Sequence, residues 1–156
     1  MRKLLKVSMI ISVLFILINC NFKKKFDTEF HEFVENSDSV LCDDDKLHPS
    51  YAYLKDGKLR GLEFIRNPEC GRITTRYFIS QSNEIEKIIF EKDFFFNNCG
   101  ETFDSIYIIE PKKKSIKIFT KSTDGEFIKN DKILKQHIID VEKYREEIIN
   151  WKKVKN

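Results

Sequence analysis

Three histidines, four cysteines and scattered carboxylates are the side chains of this chain that could bind a metal or move a proton. His31-Glu32-Phe33-Val34-Glu35 sets a histidine and a carboxylate one helical turn apart. A zinc helix of the hydrolytic kind needs two histidines at i and i+4, with a glutamate between them to activate water. Here Glu35 stands where the second histidine would be and no third ligand is in view, so the acidic face of a solvated helix is expected. Asp43-Asp44-Asp45 offers hard oxygens, but a calcium loop alternates its ligands around a turn glycine. A solvated acidic loop is expected instead. Glu84, Glu86 and Glu91 are carboxylates of the kind that sugar hydrolysis pairs; Glu84 falls in a turn and the other two have opposite strand parity, so all three read as surface charges. His137 lies beside an apolar helical stripe, as a core-edge histidine does. No nucleophile elbow and no glycine-rich phosphate loop occurs. The sequence assigns no catalytic residue, no metal ligand and no cofactor, and a non-enzymatic protein is expected.

The cysteines carry more information. Arg2, Lys3 and Lys6 precede an apolar run from Val7 to Ile18, interrupted only by Ser8 and Ser12. That run is shorter than the ~20 residues needed to span a bilayer and has signal-peptide length. It closes on Leu17-Ile18-Asn19-Cys20, which resembles the lipobox of bacterial lipoproteins in its relaxed, spirochaete-type form, where Asn is admitted before the cysteine. The resemblance implies a signal peptide over 1–19, acylation of Cys20, and a lipidated tether over 20–25. The protein is then anchored in the cell envelope through its acyl chains. Asn21, in the place where an Asp resembles an inner-membrane retention signal, leans toward the outer membrane. The resemblance covers the targeting segment alone.

Removing residues 1–19 changes the charge argument. They hold three basic residues and no acidic one, so 28 − 3 = 25 Lys and Arg remain against 25 Asp and Glu. The remainder is neutral, the basic excess belongs to the signal, and the footprint of a nucleic-acid binder is absent. From Phe26 to Asp45 the chain is acidic, without Lys or Arg. Export permits disulfides, and acylation of Cys20 leaves Cys42, Cys70 and Cys99.

The elements follow from periodicity. Phe26, Phe30, Phe33 and Val34 share one face of a short helix over 26–36, with Asp27 and Glu29 placed to favour its N-terminus. From Tyr51 the period becomes two. Strands are expected over 51–55 and 58–66 about an Asp56-Gly57 turn, with a bulge at Gly61. Further strands are expected over 72–80, 85–96, 105–110, 115–121 and 126–129. A turn centred near Ser82 and Asn83 pairs residues whose numbers sum to about 165, which sets Cys70 opposite Phe95 and near Cys99. A Cys70–Cys99 disulfide is expected, with Cys42 unpaired. Phe94-Phe95-Phe96 is apolar on both faces of its strand, marking either burial under the N-terminal helix or a contact surface. Ile133, Leu134, Ile138, Val141, Tyr144, Ile148 and Trp151 predict one amphipathic helix over 131–153.

These elements make a single α+β domain over 26–156: an antiparallel meander of about seven strands, a short N-terminal helix, and a C-terminal helix packed on the sheet. The expected function is that of a membrane-anchored envelope lipoprotein acting as a binding or interaction module for an envelope or host protein. The alternative is a periplasmic inhibitor or carrier that holds a partner loop or an apolar ligand on a curved sheet.

Overall fold

The alternation that begins at Ser50 builds the sheet. The computed structural model describes residues 21–94, 104–120 and 125–154. The signal segment, Cys20, Phe95, Phe96 and Cys99 lie outside the described residues. Helix α1 spans Asn21–Val34 and is followed by β1 (Ser39–Cys42), β2 (Ser50–Lys55), β3 (Lys58–Arg66), β4 (Gly71–Ile79) and β5 (Ile85–Phe94). Then come β6 (Asp104–Glu110), β7 (Ser115–Thr120), β8 (Glu126–Phe127), α2 (Asp131–Gln136), α3 (Val141–Ile148) and β9 (Lys152–Lys153).

The fold is α+β, with one open antiparallel sheet of nine strands in the order β8-β7-β6-β5-β4-β3-β2-β1-β9. The seven expected strands are β2 to β8. The two others were hidden by composition: β1 lies within the acidic stretch, and β9 is a Lys-Lys pair whose outward side chains carry no apolar alternation. Asp56 and Gly57 both have positive φ, at 52° and 69°, which is what a two-residue turn joining right-twisted strands requires. The bulge falls between Tyr53 and Leu54, opposite Gly61 and Leu59. The expected register of the β4–β5 hairpin holds from Gly71↔Phe94 to Phe78↔Lys87, and shifts only next to the turn, at Ile79↔Ile85.

Both faces of the sheet are covered. On one, Phe26, Phe30 and Val34 of α1 pack against Phe78, Ile89, Ile106 and Ile108. Phe30 meets the rings of Tyr53 and Phe78 edge-on at 5.5 and 5.3 Å between centroids, and Phe26 meets Phe119 at 5.1 Å. Gly61 admits this docking, since a Cβ there would come within 2.7 Å of Val34 Cγ1. On the other face Val141 and Ile148 of α3 cover Leu62, Tyr77, Ile88 and Ile109, which form one row across β3, β4, β5 and β6.

Two helical expectations are corrected. Within the described residues α1 runs from Asn21, so Asn21 to Lys25 is helical rather than a spacer, and Asp27 and Glu29 sit inside the helix instead of at its start. The C-terminal segment is two short helices. The Asp140 side chain accepts from the backbone N–H of Glu142 and Lys143 at 3.1 and 3.3 Å. It thereby caps a new helix where a continuous one would have run. Ile138, in the link, is therefore exposed, and Trp151 lies beyond α3, half-buried against the same core.

Candidate functional site

Two groups of polar side chains stand out, one on each face of the sheet. Beneath α1, Arg76 of β4 is buried with three carboxylates around it. Its Nε donates to Glu63 Oε1 at 2.8 Å, Nη1 to Glu91 Oε2 at 3.3 Å, and Nη2 to Asp27 Oδ1 of the helix at 2.8 Å. Glu63 stands directly opposite Arg76, and Glu91 is diagonal to it on β5, so strand alternation aims all three at the helix. Lys23 joins from α1, 3.1 Å from Glu91 and paired with Asp93. Partial burial by itself would lower the Lys23 ammonium, but the hydrogen bond to Asp93 and the field of Glu91 raise it above its usual value. Burial, then the charge of Glu63, pushes the Tyr53 phenol up. It stays protonated 3.5 Å from Glu63. The planar fork of the guanidinium satisfies three carboxylates at once, and the result is a clamp between helix and sheet. Glu91 is thus a buried clamp member, not the surface charge expected for it.

The remaining sequence candidates have other duties. His31 Nδ1 lies 2.8 Å from the backbone carbonyl of Asp27 on its own helix, with Glu35 exposed beyond it. Asp43 accepts from the backbone N–H of Asp45 and Ser50, and Asp45 from Leu47 and His48. Those last two bonds, from His48 first, hold the Asp45 carboxyl below its usual range. Asp44 pairs with Lys152 of β9. The acids build the turn after β1 and tie it to the last strand. Among the described residues no three His, Cys, Asp or Glu converge as metal ligands. Glu84 is exposed and held 2.6 Å from Lys112, which lowers its carboxyl; Glu86 is exposed near Lys87 and Phe33. Cys42 has a free thiol. Phe94 closes β5 half-buried, and Phe95 and Phe96, the other members of the run read as either covered by the N-terminal helix or a contact surface, lie outside the described residues.

The second group was not foreseen as a site. Register places Phe64, Thr75, Phe90 and Tyr107 in one row across β3 to β6, on the face turned toward the C-terminal helices. Arg66, Ile73, Lys92 and Ser105 form the next row. Tyr144 of α3, Gln136 at the end of α2, and His137 and Ile139 from the link stand over these rows and enclose a cavity of about 400 Å³. The cavity exists for two local reasons. Thr75 is a small side chain between two phenylalanines, and the helix broken at Asp140 leaves the rows under the link without a continuous apolar cover. His137 stacks on Phe90 at 4.2 Å between ring centroids, and the Lys92 ammonium lies over the same ring at 5.2 Å. Burial, then the charge of Lys92, pushes the His137 imidazole down. Arg66, Lys92 and His137 are the basic groups of the lining, which contains no carboxylate. The clue in the sequence was the spacing of Arg66 and Lys92. Both share the parity of the apolar face, where a charged side chain is out of place.

No family model, no curated protein and no solved structure matches this chain.

Proposed function

We propose that this protein is a lipid-anchored component of the cell envelope, held through acylated Cys20 and in the outer membrane rather than the inner. Its α+β domain acts as a non-enzymatic binding module. The observation that carries the binding half is the cavity between the sheet and the C-terminal helices: aromatic walls supply contact area, and basic groups at its rim supply orientation, which is the composition of a ligand site. The same concavity favours the carrier form of this reading, in which an apolar group is held on the sheet, over docking on a flat patch. The anchoring half rests on Leu17-Ile18-Asn19-Cys20 and the charged, apolar run before it. Nucleic acid is no part of the proposal, because the chain beyond residue 19 is neutral.

We place the structural disulfide of the exported domain between Cys70 and Cys99. Cys70 immediately precedes β4, whose first residue faces Phe94, and the chain leaves β5 toward Cys99 at that same end. Cys42 is free and lies on β1.

Detergent-phase partitioning of the full chain against Cys20→Ser, followed by capture of envelope components on wild type and on Thr75→Phe, tests both halves. The expected result is loss of partitioning and of acyl mass in Cys20→Ser. One envelope component should be retained by wild type and lost by the variant with the filled cavity. Partitioning unchanged by Cys20→Ser would overturn the anchor, and capture indifferent to Thr75→Phe would overturn the cavity as the binding site.

A further inference from the structure

Resting on the reading of the cavity as a binding site, we infer that its ligand is a small amphipathic anion: an aromatic or short aliphatic body carrying one carboxylate or similar acidic head. Three observations converge. The lining is basic without compensation, since among the described residues neither Arg66 nor Lys92 has a carboxylate partner, and His137 has none either. On the opposite face the buried guanidinium of Arg76 is matched within the fold by Glu63 and Glu91. Half-buried Lys92, held over the rings of Phe90 and Tyr107, and exposed Arg66 leave this face with basic groups that an anion supplied from outside would match.

The arrangement also fixes the pose. Arg66 and Lys92 flank Ile73 on the two neighbours of β4, both on the cavity face. An acidic group above Ile73 would lie between the two strands that carry them. The row one step along is Phe64, Thr75, Phe90 and Tyr107, so an apolar body attached to that head lies over Thr75 between two phenylalanine rings, beneath His137 and Tyr144. Lys92 is committed to the faces of Phe90 and Tyr107 at 5.2 and 6.0 Å, which keeps its ammonium at the rim instead of in bulk water. At the far end of the Arg66 row Ser105 is fully buried, and its hydroxyl has no hydrogen-bond partner among the described residues. A cavity of about 400 Å³ is at the small end of ligand sites, which suits a compact acid rather than a long acyl chain or a folded partner.

The test uses a matched pair of probes, 4-(4-fluorophenyl)butyrate and the neutral 4-(4-fluorophenyl)butan-1-ol. Fluorine NMR reads binding to the full chain in lipid nanodiscs, with empty nanodiscs as the baseline. The acid is expected to bind saturably and about tenfold tighter than the alcohol, the difference made by charge-assisted hydrogen bonds. Arg66→Gln and Lys92→Gln should each weaken the acid about threefold to tenfold and change the alcohol by far less. Thr75→Phe should abolish both, with the melting curve of each variant checked. Equal affinity for acid and alcohol, or acid binding indifferent to Arg66→Gln with Lys92→Gln, would overturn the anionic assignment while leaving the cavity as a binding site for a neutral ligand. Saturable binding of neither probe would overturn the inference, and the capture experiment alone would then decide the broader reading.

Discussion

Arg76 shows what a single residue is asked to do in this molecule. Its guanidinium neutralises Glu63 and Glu91 in a buried setting and reaches Asp27 on α1. Removing it strands carboxylates away from water. Arg76→Met should cost on the order of 3 to 5 kcal/mol in a denaturant titration. Most of that should return when Glu63→Leu and Glu91→Leu are added, because an apolar patch of similar volume replaces the whole clamp. A triple variant as weak as the single one would show that the clamp contributes through α1 geometry instead. His137 makes a pH-dependent contribution of opposite character. Its folded pKa is depressed, by burial first and by Lys92 second. The unfolded chain therefore takes up the proton at higher pH than the folded one. The stability this group contributes is present above its ordinary value of about 6.5 and is lost as pH falls from there through the folded value. His137→Gln should flatten that limb of the stability curve. Denaturation midpoints measured from pH 7.5 downward check it.

At the scale of elements, most strands and the β4–β5 pairing were legible because one physical pattern governed them. Alternation selects a face, and the number sum fixed by the Ser82–Asn83 turn then selects every partner, so Gly71 to Phe78 fall where expected. The helix break was not legible. The apolar stripe from Ile133 to Trp151 is continuous at helical spacing, and only the competition of Asp140 for backbone donors ends it. Sequence periodicity carries no measure of that competition. The clamp was hidden for a related reason: Glu91 and Arg76 are polar residues at strand positions that look solvent-facing, and only the arrival of α1 buries them. The cavity was hidden with the helix break, since the break is one of the two reasons it exists, the other being the small side chain of Thr75. The break gives a direct prediction. Asp140→Ala should cost about 1 kcal/mol, the usual value of an N-cap. It should also let backbone amides at 137–140 gain helical protection in hydrogen exchange. Unchanged stability and exchange would show that the break is set by packing on the sheet.

For the whole molecule, the two sheet edges are finished by strands of two residues, β8 and β9, so little backbone is presented for pairing with another copy. The cysteines belong to this scale too, since a Cys70–Cys99 bridge would close the loop made by β4 and β5. Non-reducing peptide mapping of exported protein should recover a Cys70–Cys99 peptide and a free Cys42. Reduction should lower stability by roughly 3 kcal/mol in the chain-entropy model for a loop of about 30 residues. A Cys42 peptide linked to either partner would refute the pairing.

The sheet order has a temporal consequence. Strands β1 to β8 follow one another in space as in sequence, so each can pair with its predecessor as soon as it emerges, and a chain delivered N-terminus first zips up from one side. The outer rim of β1 is the exception. Its neighbour is β9, which reaches it only after α2 and α3 have carried the chain back across the whole sheet, to set Leu41 beside Lys153 and Cys42 beside Lys152. If the chain is exported as proposed, the earliest strand waits with a bare rim until Lys152 has cleared the channel. The interval between those two events is when a holding chaperone would matter most.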